Sequence, residues 1–116
     1  MAIPDFDKGL DTQELARMCE KAKSASEFLK ALAHEGRLLI LCHLASGEKT
    51  VTEIENLLHW RQAAVSQQLA RLRLERLVSF RREGKVIYYK LRDSKSRKAI
   101  EMVYEMFCAP GEDAQE

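Results

Sequence analysis

The chain has 116 residues, of which 46% are hydrophobic and 32% are charged; this is the length and composition of one globular domain with a small core. That size excludes a two-lobed enzyme, and no apolar run approaches the roughly 18 residues that span a bilayer. The chain begins without a basic leader followed by an apolar stretch, so we expect a cytoplasmic protein that has no membrane partner.

The formal net charge of +1 hides an uneven distribution of charged side chains. Residues 61–92 carry nine basic and two acidic side chains, which is a net charge of +7. Residues 1–60 carry seven basic and ten acidic side chains, and residues 93–116 carry three and six, so each of these segments has a net charge of −3. Neutralisation of phosphates and release of counterions supply most sequence-independent affinity for DNA. The basic segment therefore predicts a surface that contacts nucleic acid.

Capping signals and apolar spacing predict two helices in the first half of the chain. The pattern Asp11-Thr12-Gln13-Glu14 is a capping box ahead of a first helix, whose apolar positions run from Leu15 to Leu32. A second helix, with apolar positions from Leu38 to Leu44, is almost entirely apolar and ends at Ser46-Gly47. We expect this second helix to lie at the centre of the core.

Two shorter helices follow, separated by a brief turn. Thr50-Val51-Thr52-Glu53 is a second capping box, ahead of a third helix at residues 54–58. A fourth helix begins at Gln62 and keeps helical apolar spacing as far as Leu77, with a polar and basic outer face. Two helices joined in this way form a helix-turn-helix pattern.

The period of the apolar residues changes after Leu77. Residues 78–82 and 86–91 are rich in β-branched and aromatic side chains and flank Glu83-Gly84-Lys85, which predicts a β-hairpin. Asp93-Ser94 then caps a last helix with an apolar stripe. The predicted fold is mainly α with a β-hairpin wing, in the order α-α-α-α-β-β-α of a winged helix-turn-helix protein.

The same features predict how the chain is divided. We expect a flexible N-terminal arm at residues 1–10, one winged-helix domain for DNA binding and dimerisation at residues 11–109, and an acidic flexible tail at residues 110–116. No internal repeat or linker divides the domain.

Several blocks of sequence resemble the ArsR/SmtB family of bacterial repressors. They are residues 32–41, Gly47-Glu48, residues 65–72 and residues 82–89, and the resemblance covers about residues 24–108. The family commonly has glycine where this chain has Arg76, and a small residue where this chain has Trp60-Arg61. The resemblance implies a homodimer joined through the first and last helices, with the fourth helix in the major groove and the wing on the DNA backbone.

This resemblance also implies which residues contact DNA. Glutamine and arginine side chains on the fourth helix can form paired hydrogen bonds with base edges, whereas basic side chains of the wing bind phosphates. The expected partner is a double-stranded, palindromic operator. The residues that we predict to contact it are Gln62, Ser66, Gln67, Arg71, Arg81, Arg82 and Lys85.

The two usual metal sites of the family are absent from this sequence. Residues 50–58 contain no cysteine or histidine, and residues 94–108 contain no histidine. The pair Cys42 and Cys108 instead resembles the dithiol, persulfide-responsive branch of the family (SqrR and BigR type). That resemblance implies a repressor without a cofactor, which persulfide or polysulfide releases from its operator by bridging the two thiols, so that sulfide-detoxification genes are derepressed.

Other interpretations of the cysteines remain open at this point. Cys42 alone is compatible with a small buried core residue, and Cys19 with packing in the core or at a dimer seam. The pair could also sense a metal or general oxidants. A thiol oxidoreductase, or a winged-helix module that serves only protein interaction, ranks last, because the sequence has no CxxC motif, Ser/His/Asp set, glycine-rich phosphate loop or paired catalytic carboxylates.

Overall fold

The structure is a computed structural model that describes residue 3 and residues 9–108. The predicted arm lies mostly outside these residues, and residue 109 and the predicted tail at 110–116 lie wholly outside them. Its elements, in chain order, are α1 (Thr12–Leu32), α2 (Glu35–Ala45), β1 (Lys49–Thr50), α3 (Val51–Leu58), α4 (Gln62–Leu74), β2 (Val78–Glu83), β3 (Val86–Leu91) and α5 (Ser94–Phe107). The predicted order is confirmed, and β1 is an addition to it.

The first of two compact units contains α1 as far as Ala31. Its predicted capping box is present: the Glu14 N–H donates to Asp11 Oδ1 at 2.7 Å, and the Asp11 N–H donates to Glu14 Oε1 at 3.3 Å. Apolar side chains along this helix are exposed, including Leu15 at 51% and Leu29 at 59%.

The remaining elements form the second unit, whose core is built around α2. Ile40 and Leu41 are completely buried, and Leu44 is 1% exposed, which confirms the central position predicted for this helix. The other large apolar side chains of this core are Leu32, Ile54, Val65, Leu69, Leu72, Leu77, Val78, Leu91 and Ile100.

The N-terminus of α2 is capped by a histidine, His34. His34 Nδ1 accepts the N–H groups of Gly36 at 3.1 Å and Arg37 at 3.4 Å. The ring of Trp60, from the turn between α3 and α4, lies against the same place: a Cβ on Gly36 would be 2.8 Å from Trp60 Cη2. The turn of the helix-turn-helix is thus packed on the start of α2.

The capping box at α3 is confirmed, but α4 ends one turn earlier than its apolar spacing predicts. Thr50 Oγ1 accepts the Glu53 N–H at 3.1 Å, and Glu53 Oε1 accepts the Thr50 N–H at 2.8 Å. The helix α4 stops at Leu74 because Arg76 takes a left-handed conformation with φ 62°. Leu77 is buried all the same, since the turn directs it back into the core and its N–H donates to the Leu72 carbonyl at 2.9 Å.

The wing is a hairpin of β2 and β3, and its sheet has the strand order β1-β3-β2. Both pairings are antiparallel, and the two residues of β1 pair with Tyr89 and Tyr88. Glu83 pairs with Val86, so Gly84 and Lys85 form the turn, where Gly84 has φ 65°. Among the described residues, no helix is long and apolar enough to cross a membrane.

Candidate nucleic-acid interface and thiol site

The helix α4 separates buried and exposed side chains as a DNA-reading helix requires. Val65, Leu69 and Leu72 are completely buried, which fixes the orientation of α4 in the core. The four predicted DNA-contacting residues on this helix are all exposed: Gln62, Ser66, Gln67 and Arg71. Gln62 and Ser66, like Gln67 and Arg71, are four residues apart, so each pair follows one side of the helix.

The N-terminus of α4 differs from those of α2, α3 and α5. Side chains of His34, Thr50 and Asp93 cap those three helices, whereas the side chain of Arg61, the N-cap of α4, makes no capping hydrogen bond. The first-turn N–H groups of a helix carry a partial positive charge and bind phosphate when no side chain occupies them. The start of α4 is therefore compatible with a DNA phosphate.

One face of the wing is turned toward α4. Val78, Phe80 and Arg82 share this face because side chains alternate along β2. The guanidinium carbon of Arg73, on α4, lies 4.1 Å from the centre of the Phe80 ring. Arg82 therefore extends from the side of the wing that faces α4, and Lys85 is exposed in the turn at the tip.

Arg81 lies on the opposite face of the wing and is already paired with carboxylates. Its Nε is 2.9 Å from Glu48 Oε2, its Nη1 is 2.7 Å from Glu83 Oε2, and its guanidinium stacks 4.4 Å over the ring of Tyr88. The hydrogen bond from Arg81 lowers the pKa of Glu48, and the two carboxylates raise the pKa of Arg81. This environment differs from that of Arg82 and Lys85.

Of the two cysteines predicted to form a switch, Cys42 lines a groove between α2 and α5, and Cys108 directly follows α5. Cys42 is half-buried on α2, and Cys108 is exposed directly after α5, where its N–H donates to the Tyr104 carbonyl at 2.7 Å. The groove has a volume of about 460 Å³. It is lined by Cys42, Ala45, Ser46, Ile100, Glu101, Tyr104 and Glu105.

The electrostatics of Cys42 link the two thiols. Burial is the larger cause that raises the pKa of Cys42, and the negative charge of an ionised Cys108 is the second. Cys108 is thus close enough to Cys42 to affect its ionisation, although 66 residues separate them in the chain. Cys19 lies on α1 and is exposed.

A polar contact holds α5 against the end of α2. The guanidinium of Arg97 donates to the carbonyl of Ala45 at 2.8 Å, and Ile100, one turn further along α5, is 2% exposed. The N-terminus of α5 is fixed by Asp93, whose Oδ1 accepts the Ser96 N–H at 3.0 Å. This backbone hydrogen bond is the main cause that lowers the pKa of Asp93.

Across residue 3 and residues 9–108, no three histidine, cysteine, aspartate or glutamate side chains come together in a way that could hold a metal ion.

Comparison with known proteins identifies the family. Residues 34–79 match the bacterial regulatory protein family named arsR. The chain is 44% identical over 110 residues to the biofilm growth-associated repressor of Agrobacterium fabrum, a match that covers 93% of this chain and 94% of the relative. It belongs to the ArsR family. Members of this ArsR/SmtB family are transcriptional regulators and not enzymes.

Solved structures of family members agree with the fold. Reduced HlyU from Vibrio cholerae superposes with a TM-score of 0.76 at 36% identity, over 80% of this chain and 98% of that protein. The transcriptional repressor BigR from Xylella fastidiosa superposes with a TM-score of 0.74, also at 36% identity, over 81% of this chain and 96% of that protein. These ArsR regulators share the winged helix-turn-helix described here.

Proposed function

We propose that this ArsR regulator is a transcriptional repressor that senses reactive sulfur through Cys42 and Cys108 and leaves its operator when the two sulfurs are bridged. The observation that carries the proposal is the relation between the two thiols: Cys42 lines a groove between α2 and α5, Cys108 directly follows α5, and the charge on Cys108 contributes to the raised pKa of Cys42. Loss of the regulator from its operator would derepress genes for sulfide detoxification.

Two relatives support the coarser part of this function. The similar proteins from Agrobacterium fabrum and Xylella fastidiosa are named as repressors. One structure of HlyU from Vibrio cholerae, a relative that shares this fold, is described as that of the reduced protein. HlyU of Vibrio cholerae is, however, named as a transcriptional activator, and the direction of regulation is therefore part of the proposal.

DNA binding in this proposal divides between α4 and the wing. Gln62, Ser66, Gln67 and Arg71 read base edges in the major groove, because they are exposed on the outer side of α4. Arg82 and Lys85 bind phosphates, because both are exposed on the hairpin and neither has a carboxylate within ion-pair distance in the described structure. Arg81 is the member of the predicted phosphate-binding set that already has carboxylate partners.

A homodimer follows from exposed apolar side chains on two helices. Leu15 and Leu29 of α1, and Met106 and Phe107 at the end of α5, are between 51% and 71% exposed. Burying such side chains against a second copy is favourable by about 25 cal/mol for each Å² of apolar surface. A two-fold dimer would also place two α4 helices about 34 Å apart, one turn of DNA. Sedimentation of a stable monomer at micromolar concentration would contradict this arrangement.

The chemistry begins at Cys108, because it is exposed while Cys42 is half-buried and has a raised pKa. The Cys108 thiolate attacks the sulfane sulfur of a hydropersulfide, RSSH, and releases RSH. A second RSSH converts Cys42 in the same way, and one persulfide sulfur then attacks the other and expels hydrogen sulfide. Two RSSH and two thiols thus give a trisulfide bridge, two RSH and one H₂S. Each further sulfur in the bridge consumes one RSSH and releases one RSH.

The length of the bridge provides the selectivity. A disulfide requires Cβ atoms about 3.5–4.5 Å apart, whereas each inserted sulfur lengthens the link by about 2 Å. Thiols held farther apart than a disulfide allows would therefore favour a polysulfide over a simple disulfide. Bridging would pull the end of α5 toward α2, change the dimer seam to which α5 contributes, and move the two α4 helices away from the spacing that fits the operator.

Intact-mass spectrometry tests this chemistry. Samples of the reduced protein are treated separately with a hydropersulfide, with glutathione disulfide and with hydrogen peroxide. We expect only the hydropersulfide to add whole sulfur atoms with a loss of two hydrogens. In Cys42→Ser the loss of two hydrogens should disappear, because Cys108 can still form a persulfide but has no second sulfur to form a bridge. A loss of two hydrogens alone after peroxide, with no added sulfur after hydropersulfide, would favour the alternative in which the same thiols sense general oxidants. Bound zinc in the purified protein would favour a metal sensor.

A further inference from the structure

Arg81 connects the two edges of the wing sheet. It lies on β2, at one edge, directly opposite Tyr88 on the central strand β3. Glu48 immediately precedes β1, at the other edge. The Arg81 side chain crosses the sheet over the Tyr88 ring, at 4.4 Å, and reaches Glu48 on the far side. One side chain thus holds together all three strands.

The contact between Arg81 and Glu48 has the geometry of a specific ion pair. Nε of Arg81 donates to both oxygens of Glu48, at 3.2 and 2.9 Å, and Nη2 donates to Oε1 at 3.0 Å. The remaining nitrogen, Nη1, donates to Glu83 at 2.7 Å. An isolated exposed ion pair contributes little to stability. Here two guanidinium nitrogens bind one carboxylate, the third binds another, and the guanidinium stacks on a ring, so the orientation of the Arg81 side chain is fixed.

Glu48 also lies next to the helix that carries the thiol site. The helix α2 ends at its C-cap, Ser46, and Glu48 follows two residues later, directly before β1. The ion pair therefore connects the segment that follows α2 with β2, the edge strand on the other side of the sheet from β1.

We propose that Arg81 is a positioning residue rather than a phosphate ligand: through Glu48 it fixes the wing relative to the end of α2. This proposal rests on the proposed function, since it requires the wing to contact DNA. All three guanidinium nitrogens of Arg81 already donate to carboxylates. A phosphate could reach Arg81 only in competition with two negative charges, whereas Arg82 and Lys85 meet no such competition in the described structure.

Exchanging the charges of Arg81 and Glu48 distinguishes a positioning role of Arg81 from phosphate binding. We compare Arg81→Glu, Glu48→Arg and the double variant in which both changes are combined, because the double variant keeps both the net charge and an opposite-charge pair. Glu75→Arg is the matched control for Glu48→Arg: it changes the charge by the same amount at an exposed site at the end of α4, with no contact to Arg81. The probe is a duplex that the wild-type reduced protein selects from a randomised library, and thermal unfolding checks that each variant is folded.

If Arg81 positions the wing, Arg81→Glu and Glu48→Arg each weaken binding about threefold to tenfold relative to wild type. Glu75→Arg does not weaken it, and the double variant returns to within about twofold of wild type. If Arg81 binds phosphate, Glu48→Arg frees it and adds positive charge, so this variant binds at least as tightly as Glu75→Arg. Either that result or a double variant as weak as Arg81→Glu overturns the proposal. Failure of the wild-type protein to select any duplex would instead overturn the proposed function.

Discussion

The ring of Trp60 occupies the space into which a side chain on Gly36 would extend, since a Cβ there would lie 2.8 Å from Trp60 Cη2. The first turn of α2 and the turn of the helix-turn-helix are therefore in direct contact. Trp60 thus helps to fix how the helix-turn-helix packs on the central helix α2.

Gly36→Ala is expected to destabilise the protein by about 1–3 kcal/mol, the usual cost of forcing extra volume into a packed site. Alanine is the better helix former by about 0.5–1 kcal/mol, so a purely local effect would have the opposite sign. Urea unfolding measures the difference. In a Trp60→Phe background, which lacks the contacting ring atom, the cost of Gly36→Ala should largely vanish; an undiminished cost would mean that the ring is not its cause.

Arg76→Gly is expected to stabilise the protein by about 0.5–1 kcal/mol, because Arg76 has φ 62° after the end of α4, a conformation that is costly for a residue with a Cβ and free of strain for glycine. The substitution would also restore the glycine that the family commonly has at this position. Thermal unfolding is the measurement, with Arg73→Gly, inside α4, as a destabilising control. A lower melting temperature for Arg76→Gly would contradict the strain argument.

The phosphate and base contacts are expected to respond differently to salt. Arg82→Ala should reduce the slope of log affinity against log salt concentration by about one unit, because one phosphate contact and its counterion release are lost. Gln67→Ala should leave that slope unchanged and reduce discrimination between the selected duplex and a scrambled one by about 1–3 kcal/mol. Equal affinity of wild type and Gln67→Ala for both duplexes would remove Gln67 from the base-reading set.

The reactivity of Cys42 should keep rising to higher pH than that of a free thiol. Burial and the charge on Cys108 raise the pKa of Cys42, so a smaller fraction is thiolate at neutral pH and alkylation continues to accelerate as the pH increases. In Cys108→Ser the midpoint of this profile should fall only part of the way, because burial is the larger cause. A midpoint in the wild-type protein at or below that of free cysteine would contradict the described environment.

The sequence predicted the local features well because their determinants are a few residues apart. The capping boxes at Asp11 and Thr50 and the Asp93 cap each connect residues three positions apart. Apolar spacing wrongly extended α4 to Leu77, which lies after the turn and is buried all the same. An apolar residue at helical spacing does not show whether the helix continues or the backbone turns at Arg76.

Features that depend on tertiary packing could not be predicted in this way. Glu48 and Arg81 are 33 residues apart in the chain, and their contact depends on β1, a strand of only two residues with no signal of its own in the pattern. Arg37 on α2 donates to Gln68 on α4 at 3.4 Å, a contact that nothing in the spacing of either helix indicates. The proposed pairing of Cys42 with Cys108 rests on family resemblance, because the two cysteines are 66 positions apart in the chain.

A band-shift titration with and without a hydropersulfide tests the dithiol switch most directly, with reduced wild type, Cys42→Ser, Cys108→Ser and Cys19→Ala on the selected duplex. Without hydropersulfide, all four proteins should bind with similar affinity, because none of the three cysteines lies on α4 or the wing. With hydropersulfide, wild type and Cys19→Ala should leave the DNA, while Cys42→Ser and Cys108→Ser should stay bound, because a bridge needs both sulfurs. Release of Cys42→Ser to the same extent as wild type would contradict the two-thiol mechanism.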